Sequence, residues 1–427
     1  MENHQESLKK VHHYNHDDSC KFSRWTTKEC YQFMSARKWH RVAEFYSEMV
    51  KGQSNLEAVF QREVLLQIPA IQDEAKTKEY TVESAVGSFP VEDRTGRWAR
   101  VTFKIVLSYH GPSFSGWQKQ PGLNTVQELV EKALGKFIDD KKAQQLMDKN
   151  LPLEGCAVVA GRTDKGVSAC QQVCSFYTWR KDVKVQDIAD AINSISPGTI
   201  RVVSATKVSR EFHPNFSAKW RRYLYIFPLE EELVWQHRKD VADKYCSDAH
   251  QLNQCAENLE QQCAGNFAEE NNACAIGNAK DEVVPGNKPT GFEVSRVNHL
   301  LRQIEGKLLS YKMFARDTKP SRNIGPPTEC FVYHARAMEA SLPCAKDGSH
   351  TKAMCIELVA NRFLRKMVRV LVATVIREAV AGADDDALLK LMGATCRRAT
   401  APPAPPDGLC LVDVGYAEFD GTNCLIP

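Results

Sequence analysis

No Cys-x-x-Cys pair occurs in the chain, although it holds 15 cysteines; the closest two, Cys170 and Cys174, are spaced more widely. A zinc ribbon or knuckle needs tighter pairs of thiolates, so neither is expected. An odd, scattered set of thiols fits a reducing compartment. There is no Gly-x-Gly-x-x-Gly and no P-loop, which removes the dinucleotide and nucleotide fingerprints. Long apolar runs are missing too: the best, Met367 to Ile376, is broken by Arg369 and stopped by Arg377, far short of the roughly 20 residues of a membrane span. Charge of one sign does not prevail, with 56 basic against 53 acidic residues. A wholly basic nucleic-acid coat is thereby excluded, while local basic patches are not. Residues 1–30 carry Glu2, Glu6, Asp17, Asp18 and Glu29 and lack a secretory or acid-poor transit pattern. The expected location is cytoplasm or nucleus, with an organelle left open.

What remains is a globular composition, 43% hydrophobic over 427 residues. At roughly 150 residues per domain this length gives two to three domains. Residues 1–98 read as a helical or partly disordered extension without visible chemistry. Trp39, Val42, Phe45, Tyr46 and Met49 recur at helical spacing within it and predict a helix over 37–50. At Val101 the period changes to two, predicting a strand over 101–109. After a Gly/Pro/Ser loop, Thr125 to Glu128 form a capping box, and Val126, Leu129, Val130, Ala133, Leu134, Phe137 and Ile138 mark one helix face. Strands are expected at 156–160, 171–178, 200–207 and 220–227, with a helix at 185–195. Residues 228–292 read as a variable insertion and linker, with a helix over Leu252 to Cys263 and a flexible stretch at 264–291 ending in Val284-Pro-Gly-Asn-Lys-Pro-Thr-Gly291. Beyond it, helices are expected at 294–309, 363–381 and 384–392, and strands at 330–339, 352–360 and 409–416. The organisation is thus an extension, a half at 99–227, the insertion, and a second half at 293–427. The fold class is α+β, each half a sheet with helices on one face.

The chemistry concentrates in Ala160-Gly-Arg-Thr-Asp-Lys-Gly-Val-Ser-Ala169. Gly161 and Gly166 permit a sharp turn, and Asp164 projects from it between Arg162 and Lys165. A carboxylate among cations stays ionised at neutral pH, as a nucleophile or general base requires. The plainer reading is a hairpin in which Asp164 caps its own turn. On the strand 220–227, Arg221, Tyr223, Tyr225 and Phe227 alternate onto one face, with Arg222, Leu224 and Ile226 on the other. Arg362, Arg365, Lys366 and Arg369 stand at i, i+3, i+4 and i+7, sharing one face of the expected helix start. That face suits phosphate contacts or, more plainly, solvent. Together with Lys219, these cations can line one cleft.

The Gly161-Arg-Thr-Asp-Lys-Gly-Val167 run resembles the signature of the TruA-type tRNA pseudouridine synthases. Supporting similarities follow in order: Ser115-Gly-Trp-Gln-Lys-Gln120, Thr125-Val-Gln127, Phe212-His-Pro-Asn-Phe-Ser-Ala218 with Arg221-Arg-Tyr-Leu-Tyr225, Asn361-Arg-Phe-Leu-Arg-Lys-Met-Val-Arg369, and Gly408-Leu-Cys-Leu-Val412. Together they span about residues 100–417. Ser168-Ala169 stands where bacterial members commonly carry His-Gly and looks like the eukaryotic branch.

The resemblance implies a fold of two α+β halves forming a mixed, mainly antiparallel sheet, with helices on one face and a central RNA-binding catalytic cleft. It implies isomerisation of uridine to pseudouridine in tRNA, in the anticodon stem-loop region, with no cofactor and no metal. Asp164 corresponds to the essential carboxylate, Tyr223 to the active-site tyrosine and Arg369 to the arginine paired with the aspartate. An aromatic there can stack on the displaced uracil, and its hydroxyl can move the C5 proton. Arg162, Lys165, Arg221, Arg222, Arg362 and Lys366 are the expected substrate contacts, and Leu411 an apolar wall under the base. Alternatives are a catalytically silent RNA-binding relative, or the same chemistry on other structured RNA. The partners expected are tRNA and no membrane. Family members include homodimers and monomers, so the oligomeric state stays open.

Overall fold

The computed structural model of the chain describes residues 20–60, 100–231, 289, 291–316, 328–344, 348–394 and 396–427. The helix expected over Leu252 to Cys263 and nearly all of the 264–291 stretch lie outside the described residues.

Alternation at Val101 becomes β1 (Val101–Tyr109), whose Phe103, Ile105, Leu107 and Tyr109 are all buried. It lies inside the sheet, flanked by β3 (Ser168–Thr178) and β4 (Ile200–Val208), both antiparallel to it. The short β2 (Val158–Val159) pairs with β3. On the other side stand β5 (Trp220–Pro228), β8 (His350–Ala360), β7 (Glu329–Pro343) and β6 (Lys307–Ser310), in that order and all antiparallel. The last strand, β9 (Leu409–Gly415), joins the two groups. It runs parallel to β3 through Ser168↔Cys410 and Ala169↔Leu411, and antiparallel to β5. The sheet order is β4-β1-β3-β9-β5-β8-β7-β6, mixed and mainly antiparallel.

Two groups of helices cover one face. α3 (Val126–Leu134) and α5 (Val185–Ile195) pack on β1 and β3. α6 (Val294–Arg302) and α7 (Met367–Ala381) pack on β5, β7 and β8. The N-terminal region contributes α1 (Thr27–Ser35) on this face and α2 (Trp39–Lys51) on the reverse. Val42, Phe45, Tyr46 and Met49 of α2 meet Leu224, Ile226 and Cys410 there. The reverse face of the sheet is therefore also covered. β5 alternates as its sequence dictates: Tyr225 and Phe227 enter the core under α7, while Leu224 and Ile226 enter the core under α2.

Several boundaries differ from expectation for physical reasons. α3 stops at Leu134 and tightens to a 3₁₀ turn at Gly135–Phe137. A Cβ at Gly135 would sit only 2.0 Å from the Leu153 carbonyl oxygen, so that chain crosses on top of a bare glycine. The helix expected over 294–309 ends at Arg302, and its remainder turns at Gly306 (φ 69) into the strand β6. The polar sequence did not signal the surface α4 (Asp140–Asp148), while the helix expected at 384–392 forms as α8 (Ala387–Met392).

The largest difference concerns α7. It starts at Met367, not 363, and every residue in it except Arg369 is buried. A helix enclosed on all sides cannot extend through Arg362, Arg365 and Lys366 without burying their charges. The basic segment is therefore a loop ahead of the helix, and Lys366 turns it at φ 59. Inside α7, the buried Arg377 and Glu378 pair with each other, and Glu378 also accepts from Arg24 at 2.7 Å. Among the described residues no helix is long and apolar enough to cross a membrane.

Candidate active site

The segment Ala160–Val167 leaves β2, turns, and enters β3. Its backbone is gripped from several sides. The Tyr109 hydroxyl meets Thr163 Oγ1 at 2.8 Å, and Gln172 Nε2 donates to the Gly161 carbonyl at 2.7 Å. The Trp117 amide donates to the Thr163 carbonyl at 3.1 Å. Gly116, at φ +99, lies so close that a Cβ there would be 3.0 Å from the Thr163 oxygen and 3.1 Å from the Lys165 nitrogen. Gly111 is tighter still, with a Cβ position 2.3 Å from the Gly166 oxygen. Gly166 itself takes φ +81. The glycines of the two loops thus let two backbones touch where side chains would hold them apart.

This grip presents Asp164 to a cleft of about 1330 Å³ between the two helix groups. Its side chain is 29% exposed. Arg369 reaches it from the first turn of α7, with one terminal guanidinium nitrogen 3.5 Å from Oδ2. Arg369 is itself fixed: its Nε donates to the Ala404 carbonyl at 2.6 Å, and the Ala404 amide donates back to the Arg369 carbonyl at 3.1 Å. The cation is therefore aimed before any substrate arrives, and it orients the carboxylate.

Tyr223 lies on β5 in the cleft wall, half-buried, opposite Leu411 in register. Phe363 stands edge-on to its ring at 5.1 Å. Burial pushes the Tyr223 hydroxyl well above its ordinary pKa, with Arg221 opposing the shift and Asp164 adding to it. The hydroxyl therefore keeps its proton at neutral pH.

The structure brings Asp164, Arg162, Lys165, Tyr223, Lys366 and Arg369 together on one cleft, with Arg365 beside them. Arg162 and Lys165 are exposed at the turn. Four of the expected substrate contacts are placed otherwise. Arg221 is a clamp: it donates to the carbonyls of Asn361 (2.9 Å), Ala160 (3.0 Å) and Asn215 (3.0 Å), tying together three segments at the site's base. Arg222 points to the reverse face of the sheet, where it donates to the Asn423 carbonyl and faces the buried Glu357; it cannot touch a substrate in the cleft. Alternation along β5 separates it from Arg221. Arg362 is half-buried just ahead of the lining segment 363–369 and is not part of the cleft wall. Leu411 is fully buried behind Tyr223, supporting that ring from below while Leu409 lines the cleft.

Sequence reading did not single out His213 and Phe216. His213 lines the cleft, and its Nδ1 accepts the amides of Asn215 (3.2 Å) and Phe216 (3.1 Å). Its remaining ring hydrogen is therefore on Nε2 when the imidazole is neutral. Phe216 stacks on the His213 ring at 4.2 Å and is 82% exposed. A phenylalanine within a Pro/Asn/Ser turn, on no strand or helix period, was the available signal.

Comparison with known proteins adds to this geometry. Residues 325–417 match the family model described as tRNA pseudouridine synthase. A tRNA pseudouridine synthase A of Pelodictyon phaeoclathratiforme is 27% identical over 314 residues, covering 73% of this chain and 98% of the relative. One from Lacticaseibacillus casei is likewise 27% identical, over 74% of this chain and 99% of the relative. A shorter match, to the same-named protein of Brachyspira hyodysenteriae, is 35% identical over 33% of this chain and spans 54% of that relative. Over these spans the chain is similar to the TruA-type tRNA pseudouridine synthases. The matched stretch includes Arg369 and Leu411 but not Asp164 or Tyr223.

Proposed function

We propose that this protein isomerises uridine to pseudouridine in tRNA, with Asp164 as the essential carboxylate. The observation that carries the reading is the Asp164–Arg369 pair, pre-aimed in a cationic cleft beside Tyr223. The reaction breaks the bond from N1 of uracil to C1′ of the ribose and forms one from C5 to C1′. The C5 hydrogen leaves as a proton, and N1 ends protonated. Two first steps are open to an ionised carboxylate at this position: a bond to C1′, or removal of a ribose proton. Both need the carboxylate held in one direction, which Arg369 does. The released uracil must rotate without escaping. Tyr223 gives it a face to stack on, with Leu411 and Phe363 holding that ring. Because its hydroxyl enters the cycle protonated, Tyr223 takes the C5 proton only as its own passes to water or to uracil N1, a relay and not a phenolate base.

Reaching a base in folded RNA costs a few kcal/mol of unstacking. A loop or a stem end lowers that cost, and the anticodon stem-loop is the region we assign. In this reading the halves 99–227 and 293–427 share the site. Asp164 and Tyr223 come from the first and Arg369 from the second. We place the enzyme in the cytoplasm or nucleus, on the support of its scattered thiols.

The test is tritium release from tRNA transcribed with 5-tritiated uridine, because forming the C5–C1′ bond must expel that hydrogen. Wild type is expected to release tritium and Asp164→Asn none, with RNA affinity kept within about tenfold, since the exchange removes one charge and little volume. Activity that persists in Asp164→Asn would remove Asp164 from its role. Intact binding without release by the wild type would point to a silent relative. The same assay on other structured transcripts, together with the mass in solution, tests the wider RNA range and a homodimer.

A further inference from the structure

On the sheet face away from the cleft, three ligating side chains converge. His334 comes from β7, Glu357 from β8 and Cys424 from the segment after β9, and one ligand atom of each lies within 4.8 Å of the others. Glu357 is fully buried and His334 is 7% exposed. The Nε2 atom of His334 is sealed from solvent and makes no hydrogen bond of good geometry. It lies 3.4 Å from Glu357 Oε2, and two N/O ligands on a tetrahedral zinc ion are about 3.4 Å apart. The carboxylate is held in place by the amides of Leu425 on Oε1 (3.1 Å) and Ile426 on Oε2 (2.7 Å), the outer support that metal-binding carboxylates usually have. Arg222 approaches Oε1 at 3.5 Å and anchors the same tail by donating to the Asn423 carbonyl at 2.8 Å. Arg336 is nearby too, and Glu305 neutralises it.

We propose that His334, Glu357 and Cys424 form a structural site for a divalent transition cation of the zinc type. One imidazole nitrogen, one carboxylate oxygen and one thiolate make a borderline-soft donor set that disfavours magnesium and calcium. Three protein ligands leave a fourth position for water. Binding at Nε2 and Sγ displaces two protons to solvent, one from the His334 imidazolium and one from the Cys424 thiol. The cation would pin the C-terminal segment against β7 and β8, where Ile426 is already buried with the α2 core. The site is separate from the catalytic cleft and does not depend on the reaction proposed above. Its rival occupant is a proton on His334. Burial lowers the pKa of that imidazole, but Cys424 and Glu357 beside it outweigh burial and bring it to about 9.

The full-length protein, stripped with a chelator and titrated with Co²⁺, separates the two. Tetrahedral cobalt shows intense visible bands, and a thiolate ligand adds a near-ultraviolet charge-transfer band. The expected result is one equivalent bound with both signatures, displaced by Zn²⁺, and binding weakened at least tenfold in Cys424→Ser and in His334→Gln. Cys396→Ser, at an exposed thiol, should leave the spectrum unchanged. Zn²⁺ should also raise the melting temperature of the wild type but not of Cys424→Ser. Wild-type protein without tetrahedral cobalt bands overturns the proposal even if a variant fails to fold. Bands that survive in Cys424→Ser overturn it as well.

Discussion

Arg369 holds Asp164 while Ala404 holds Arg369, so one substitution separates aiming from charge. A lost charge-assisted hydrogen bond is worth about 1.5–3 kcal/mol. Arg369→Ala is therefore expected to slow single-turnover isomerisation by about 10- to 100-fold, with tRNA affinity little changed. Lys366→Ala should weaken binding and spare the rate. Equal effects of the two on rate would make Arg369 a phosphate contact. Gly116 offers a second test, because its φ is +99 and a Cβ would press on the catalytic turn. Gly116→Ala should cost about 1–3 kcal/mol of stability or turn geometry, read as a lower rate with Asp164 intact. Tyr223 carries the pH prediction. Its pKa is raised by burial, so it remains protonated as pH climbs past the ordinary tyrosine value near 10. Between pH 8 and 10 the single-turnover rate should not fall through its ionisation. A fall present in the wild type and absent in Tyr223→Phe would show an ordinary tyrosine. That Asp164, Tyr223 and Arg369 share one cleft was legible through the resemblance of the motifs that carry them. Phe216, His213 and the supports Tyr109 and Gln172 were not, since nothing in a linear pattern says which aromatic stays outside or which hydroxyl lies under a loop.

Elements whose sequence keeps one period were the readable ones. The limits of β1, α5 and β5 fall within a residue or so of expectation. α7 shows the opposite case. Arg362, Arg365, Lys366 and Arg369 have helical spacing, yet the helix starts only where burial on all sides can begin. Lys366 pays for that late start with a left-handed backbone, which costs a non-glycine residue about 1–2 kcal/mol. Lys366→Gly relieves the strain, against the entropy a glycine adds to the unfolded chain. Stability in chemical denaturation should therefore hold or rise by up to about 1 kcal/mol. Binding of tRNA should weaken as much as in Lys366→Ala. A clear loss of stability would mean that the lysine side chain, not the turn, sets the conformation.

At the scale of the molecule, a nearly neutral chain concentrates cations where the substrate would lie. Arg162, Lys165, Arg365 and Lys366 all border the cleft. Each phosphate contact contributes about 0.7–0.9 to the slope of log affinity against log salt. Replacing both Arg162 and Lys165 with alanine should reduce that slope by about 1.5, measured by tRNA binding across salt concentrations. Replacing Arg222, on the reverse face, should leave the slope unchanged.

β9 lies between β3 and β5 although it is made after both. On a growing chain, β3 and β5 each expose an open edge until residues 409–415 leave the ribosome. Unpaired edges are templates for association with other chains. The catalytic half is thus committed to wait for the far end of its own message, and a chain cut just before Leu409 would leave two unsealed half-sheets for chaperones or proteases to find.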